Sequence, residues 1–482
     1  MKPLRPHQER AIAMLRASLA SGRRRPMLQA PTGFGKTLLA AAIVDGARRK
    51  GNRVLFVVPA LSLVDQTVQA FYDEGLTDVG VIQGYHHMTD WSQPIQIASV
   101  QTLMRRKLPE ASVAIIDEAH RWFSFYGKWM DDAGWAQKPI IGLSATPWAK
   151  GLGKHYDDLI IAATTAELID AGYLSRFRVF APSHPDLTGV RTVAGDYHEG
   201  DLAGAMAPLV ADVVETWIKR GENRSTLCFA VDRAHAKQLQ QQFEAAGVST
   251  GYIDAYTTLP ERTEIERQFH ASEIKVVCNV GCLTTGIDWD VRCIVLARPT
   301  KSEMLFVQIL GRGLRTAEAK EDCLVLDHSD NHLRLGFVTD IHHAALDDGK
   351  PVSKAAAAEQ KTPLPKECPK CHFVKPVKVH VCPSCGFKPE KGSKIEVEDG
   401  ELFELDQAAK KASQAQKQLW YSMLLEVAAQ RGYQGGWAAN QYRQKFNVWP
   451  RGLQEIRTEP SPEVLSYVRS RMIAYAKRRR AA

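Results

Sequence analysis

The stretch Ala30-Pro31-Thr32-Gly33-Phe34-Gly35-Lys36-Thr37 follows a short apolar run ending at Gln29 and leads into the helix-forming Leu38-Leu39-Ala40-Ala41-Ala42-Ile43. Glycines at 33 and 35 let the backbone curl until successive N–H groups point inward, and the helix that follows adds the positive end of its dipole. Such a cradle fits a triphosphate. Thr32, Gly33, Phe34 and Gly35 would wrap it, Lys36 supplies a mobile charge for the β- and γ-phosphates, and the Thr37 hydroxyl suits Mg²⁺. The first position of the pattern, usually glycine, is Ala30.

Upstream stands Leu4-Arg5-Pro6-His7-Gln8, with a helical pattern through Leu19. An amide donates and accepts at once, so Gln8 is a candidate reader of adenine; the plainer alternative is an exposed helix-start residue. Downstream, apolar runs at 54–59, 95–99, 113–117 and 140–143 alternate with helical stretches such as 61–74 and 101–106. This is the rhythm of a parallel sheet with crossover helices. Val113-Ala114-Ile115-Ile116 runs directly into Asp117-Glu118-Ala119-His120. A carboxylate at the C-terminal end of a buried strand is where nucleotide-bound Mg²⁺ needs a ligand, which suits Asp117. Glu118 beside it suits the base that positions and deprotonates the attacking water. Ser144-Ala145-Thr146-Pro147 offers hydroxyls that could bond the acidic pair and relay its state.

A second α/β rhythm begins near Arg178, with a strand at Leu227-Cys228-Phe229-Ala230, a helix over 234–246 and a strand over 275–280. It leads to Gln308-Ile309-Leu310-Gly311-Arg312-Gly313-Leu314-Arg315. Arg312 and Arg315, three apart, can share one helical face. From a second domain they would stabilise the charge that spreads as the γ-phosphoryl group transfers, coupling hydrolysis to domain closure.

The 482 residues are enough for about three domains, and 45% hydrophobic with 24% charged residues is ordinary globular composition. No run approaches the ~20 apolar residues of a membrane span. Met1-Lys2-Pro3-Leu4-Arg5-Pro6-His7 holds no apolar signal region, so a cytoplasmic location and no membrane partner are expected. The net charge of +8 is concentrated at the end of the chain: Glu404 to Ala482 holds fourteen Lys/Arg against six Asp/Glu. The closing Lys477-Arg478-Arg479-Arg480 is either a phosphate contact or a solvated tail. Of nine cysteines, Cys368, Cys371, Cys382 and Cys385 form two C-x-x-C pairs ten residues apart. That spacing suits tetrahedral Zn²⁺ rather than disulfides, and four thiolates leave His372 and His380 as bystanders.

The loop at 30–37, Asp117-Glu118-Ala119-His120 and Ser144-Ala145-Thr146 resemble motifs I, II and III of superfamily 2 helicases of the DEAH type. Pro59 with Leu63-Val64-Asp65-Gln66 resembles motif Ia, and Ser99-Val100-Gln101-Thr102-Leu103 the next strand-contacting motif. Gly281 to Asp288 resembles motif V, and Gln308 to Arg315 motif VI. Residues 278–331 are similar to RadD-type bacterial repair helicases and related phage helicases, a likeness that covers roughly 1–345. The resemblance implies ATP with Mg²⁺ as cofactors and a catalytic set of Lys36, Asp117, Glu118, Gln308, Arg312 and Arg315. It places Arg5 and Gln8 at the nucleotide's base and Gly286 and Asp288 near its ribose. Pro59, Gln66, Gln101, Thr102, Thr284 and Thr285 would touch nucleic acid. It further implies 3′ to 5′ movement on single-stranded, forked or branched DNA in replication, recombination or repair, in a bacterial cell or encoded by a phage. A single-stranded-DNA-binding or recombination protein is an expected partner.

The expected architecture is therefore α/β. Two tandem RecA-like parallel-sheet domains, 1–165 and 166–345, precede a linker at 346–366 and a zinc ribbon at 367–390. A linker at 391–412 and a basic helical C-terminal domain at 413–482 follow. The ribbon could be a structural staple or a DNA grip. Trp420, Tyr421, Tyr433, Trp437, Tyr442, Phe446 and Trp449, interleaved with basic residues, could stack bases or form a core. The aromatic segment from Arg121 to Trp135 is either a packing surface or a strand-separating wedge. Three other functions are open: the motor of a restriction-type complex, an RNA helicase, or a zinc-ribbon DNA-binding adaptor with an idle ATPase. The chain has no Pro-Asp…Glu-x-Lys nuclease cluster, so the first would need another polypeptide for cleavage.

Overall fold

The computed structural model describes residues 1–284, 288–350, 363–389 and 413–481, with side chains to Met472. The expected linkers at 346–366 and 391–412 fall largely outside this set, as do Thr285, Gly286 and the side chains of Lys477 to Arg480. The chain forms two compact units, Met1–Glu390 and Lys391–Ala482.

The first unit holds two parallel sheets. In the first lobe, β1 (Pro26–Gln29), β2 (Val54–Val58), β3 (Val79–Ile82), β4 (Ile95–Ser99), β5 (Val113–Ile116), β6 (Ile140–Ser144) and β7 (Asp158–Ile161) pair in the order β3-β4-β2-β5-β6-β1-β7. Strands such as β2, whose five residues are all buried, read as unbroken apolar runs because helices cover both faces. After β8 (Arg176–Phe180) comes a short hairpin of β9 (Thr192–Val193) and β10 (Asp196–Tyr197). The second sheet adds β11 (Thr226–Ala230), β12 (Thr250–Ile253), β13 (Val276–Asn279), β14 (Cys293–Ala297) and β15 (Asp322–Asp327), in the order β12-β13-β11-β14-β15-β8. Local chemistry fixes the crossover helices: Asp232 caps Arg233–Ala245 and Ser302 caps Glu303–Gly313, each accepting a backbone N–H. One buried apolar cluster contains residues of both lobes, among them Phe34, Leu174, Leu310 and Leu314.

The aromatic segment after β5 is a packing surface. Tyr126, Trp129 and Trp135 are buried with Met27, Leu55 and Ile116 against one face of the first sheet, so no wedge projects from it.

In the second lobe His235 and His328 are buried, and burial pulls each ring down to about 4. Neutral when folded but protonating near 6.5 when unfolded, both contribute stability that is complete above that pH and lost as pH falls toward 4. Each should lower stability by roughly 1–3 kcal/mol across that window. Melting temperatures taken between neutral and mildly acidic pH should fall accordingly; a flat profile would contradict the buried neutral rings.

The C-terminal unit packs the helices Gln414–Gln430, Trp437–Phe446 and Pro462–Ala481 around Tyr421, Leu424, Val427, Tyr442, Val464 and Val468. Its aromatics serve chiefly as core, and its basic residues cover them: Lys445 sits 4.4 Å over the Trp420 ring and Arg443 4.6 Å over Trp449.

Candidate active site between two lobes

β1, β6 and β5 are neighbours, so the loops at their C-terminal ends converge at one edge of the first sheet. Gly33 and Gly35 both have φ of +80°, a left-handed conformation open to glycine. Gly35 also has no room for a side chain, since a Cβ there would lie 2.4 Å from the Gln8 amide nitrogen. From beneath, His7 Nε2 and Gln8 Nε2 meet the Phe34 carbonyl at 3.0 Å each, and Gln8 reaches the Gly35 carbonyl at 3.1 Å. Gln8 Oε1 accepts from the Arg5 N–H at 2.8 Å. The amide expected at adenine braces the phosphate loop, and His7 is a brace that the sequence reading missed. Arg5 bonds the Gly33 carbonyl and lies 4.8 Å over the Tyr173 ring.

Lys36, at the start of the helix Lys36–Arg48, reaches the Asp117 carboxylate at 2.8 Å and also pairs with Glu118. Burial opposes the lysine's charge, but the two carboxylates outweigh it and hold its pKa well above the ordinary value. Burial pushes Asp117 up. It acts the same way on Glu118, but the Lys36 ammonium outweighs it and holds that carboxyl below its usual range. Glu118 has φ of +47°, a strained backbone that turns its carboxylate toward Lys36. Thr37 and Asp117, the expected Mg²⁺ ligands, line one cavity of about 140 Å³ with Lys36 and Gln66. Gln66, expected on nucleic acid, lines the same cavity.

His120 links the acids to the other lobe. Burial drops its pKa to about 4, so it is neutral. Gln308 Nε2, from the helix Glu303–Gly313, donates to His120 Nε2 at 3.2 Å and to Thr146 Oγ1 at 3.1 Å. With Nε2 accepting, His120 carries its proton on Nδ1, which lies 2.8 Å from Ser144 Oγ and 3.4 Å from Glu118. The hydroxyls of Ser144 and Thr146, expected on the acidic pair, meet His120 and Gln308 instead.

Arg312 is buried in the same helix, and its desolvation, aided by Arg315, lowers its pKa to about 10, which leaves it charged. Arg315 departs from expectation. The helix ends at Gly313, so the two arginines do not share a helical face; Arg315 pairs in extended backbone with Leu174 and forms an ion pair with Asp288. The lobes touch closely here: a Cβ on Gly311 would lie 2.4 Å from Thr32 Oγ1, and one on Gly33 2.1 Å from Leu174. No sequence signal marks Leu174.

Of the expected nucleic-acid residues, the Pro59 carbonyl accepts from Gln101 Nε2 at 2.8 Å, and Thr102 is tied to Ser99. Thr284 bonds the Gly281 carbonyl.

The first 149 residues match the family model of the Type III restriction enzyme res subunit, and residues 209–317 match the helicase conserved C-terminal domain. The two matches together support the resemblance to superfamily 2 helicases. It is 27% identical over 393 residues to a 51.5 kDa protein of a Lactococcus phage, covering 77% of this chain and 80% of that one. A Saccharomyces cerevisiae protein designated ATP-dependent helicase IRC3 is 29% identical over 67% of this chain, which spans about half, 51%, of the yeast protein's length. A fragment of an HsdR-type restriction subunit from Vibrio vulnificus shares the fold at TM-score 0.56 and 21% identity, covering 73% of this chain and 71% of that one.

In the zinc-ribbon segment the four cysteine sulfurs lie within 4.8 Å of one another. Cys368 to Cys385 is 3.8 Å and Cys371 to Cys382 3.7 Å. A ZnS₄ tetrahedron with bonds of about 2.3 Å has S–S edges of about 3.8 Å, so the donor set fits Zn²⁺. The cluster is flanked by the strands β16 (Lys366–Glu367) and β17 (Val374–Lys375). The ribbon covers the outer edge of β8: Phe373 bridges to Phe180 in antiparallel fashion, and the Ala181 N–H bonds the His372 carbonyl at 2.9 Å. This is a staple on an exposed sheet edge. Cys382→Ser should lower bound zinc, measured by metal analysis, and lower the melting temperature of the first unit. Unchanged metal content would contradict the ligand set.

Proposed function

We propose that this chain is an ATP-driven motor on DNA, a helicase or translocase that hydrolyses Mg-ATP between its two lobes. What carries the reading is the contact of Gln308 with His120 and Thr146, which ties the lysine–acid cluster of one lobe to the arginine-bearing helix of the other. Lys36 and the phosphate loop hold the triphosphate, and Glu118, held ionised, takes the proton of the attacking water. Mg²⁺ on Thr37 and Asp117 would neutralise phosphate charge. Arg312, and Arg315 once released from Asp288, meet the charge that develops on the γ-phosphoryl group. The hydrolysis state at Glu118 reaches Gln308 through His120, so turnover and lobe movement are linked. Relatives named ATP-dependent DNA helicases, RecG of Acidithiobacillus ferridurans at 24% identity and uvsW of phage T4 at 22%, support DNA as the track, and Zn²⁺ in the ribbon would hold the second sheet's edge.

The test is strand displacement by the full chain with ATP and Mg²⁺ on forked DNA and on the matching RNA. Displacement or directional translocation on DNA supports the proposal; activity on RNA alone transfers it to an RNA helicase. The res-subunit match favours one second reading, the motor of a restriction-type complex with cleavage supplied in trans.

A further inference from the structure

The two sheets have the same strand plan from the edge inward. β3 follows β2 through one crossover helix and forms the edge beside β4; β12 follows β11 through one crossover helix and forms the edge beside β13. In open parallel sheets, ligands bind outside the C-terminal ends of the strands. Three residues beyond each edge strand stands a tyrosine, Tyr85 after Ile82 and Tyr256 after Ile253. Among the described residues these are the two most exposed aromatic side chains, Tyr85 entirely open and Tyr256 at 76%.

Neither ring sits on a loose loop. In the first lobe the His86 N–H bonds the Gln83 carbonyl, His86 Nε2 meets Asp65 at 2.9 Å, and Arg106 reaches the Gly84 carbonyl. In the second, Asp254 accepts the N–H groups of Tyr256 and Thr257 at 2.8 and 3.0 Å. Arg233 bonds Asp254 at 2.6 Å and lies 4.6 Å over the Tyr256 ring. Each turn therefore holds an aromatic face in water at a fixed place, with a cation beside it: Arg106 bonded to the turn in the first lobe and Arg233 over the ring in the second. A single exposed ring needs no explanation; a pair at equivalent positions of two repeated lobes, on the ligand-binding edge of each sheet, does.

We propose that Tyr85 and Tyr256 are paired stacking platforms for unpaired bases of single-stranded nucleic acid, one per lobe, with the neighbouring cations on its phosphates. The inference rests on the motor function proposed above and names the form of its track: single-stranded, since bases inside a duplex are already stacked and offer no free face. Two grips on separate lobes would hold the strand at two points whose spacing changes as the cleft opens and closes. Stacking is sequence-tolerant, as a translocating motor requires.

The test uses the full-length chain with a fluorescein-labelled oligothymidylate and with a blunt DNA duplex, reading affinity by anisotropy. Tyr85→Ala and Tyr256→Ala should each weaken oligothymidylate binding about tenfold, with much less effect on the duplex. Tyr85→Trp and Tyr256→Trp should restore it. Alanine variants that bind the single strand like the unmodified chain, or that lose single strand and duplex alike, would overturn the stacking role and leave the motor reading intact. An unmodified chain with no affinity for any nucleic acid would overturn both.

Discussion

Glu118→Gln is expected to lower steady-state ATP turnover by about 10²- to 10⁴-fold, the loss that follows removal of a general base. The amide keeps the shape of the carboxylate and can still accept from Lys36, so the site remains assembled. What it loses is the capacity to take a proton. Lys36 holds Glu118 in its ionised form, so this capacity is present at neutral pH in the unmodified chain. Turnover measured together with nucleotide affinity separates the roles: kcat should collapse while ATP remains bound. Wild-type turnover would remove Glu118 from the base position. Lys36→Ala should also abolish hydrolysis, but it leaves two buried carboxylates without their cation and should cost stability as well.

Gly311→Leu should reduce turnover by about 10²-fold or more while nucleotide affinity changes far less, since arginines delivered across an interface are worth about 10³–10⁵ in phosphoryl transfer. Even the Cβ of a side chain at 311 would lie 2.8 Å from Thr32 Cβ, too close unless the helix and the phosphate loop separate. Separation carries Gln308 and Arg312 away from His120 and the γ-phosphate site together. The phosphate loop itself, built within the first lobe, stays whole. The measurement is kcat beside a nucleotide dissociation constant; a variant with normal kcat would show that hydrolysis does not need this approach of the lobes.

The fold and the chemical groups were legible where one stretch of chain carries the whole signal. The glycines and lysine of the phosphate loop, the acids at the end of β5 and each C-x-x-C pair are recognisable from a few consecutive residues. Gln308 was legible as part of a motif, but its contacts lie 188 and 162 residues away in sequence, at His120 and Thr146. Periodicity alone put Arg315 on a helix with Arg312; the helix stops at Gly313 because the chain turns into the extended pairing with Leu174. Gln8 was legible as an amide near the loop, and only the folded chain shows that Phe34, Gly35 and Arg5 engage it. The aromatic run after β5 carries the same residues whether it packs or projects, and burial of Tyr126, Trp129 and Trp135 decides between the two.

The central claim is that ATP hydrolysis between the lobes is driven by a nucleic-acid track. Its most direct test is steady-state ATP hydrolysis by the full chain, alone and with single-stranded DNA, duplex DNA, forked DNA and RNA, beside a Lys36→Ala control. The account predicts low turnover alone and strong stimulation by DNA that offers a single-stranded stretch, all of it lost in the control. Turnover that no nucleic acid changes, or none under any condition, would contradict it.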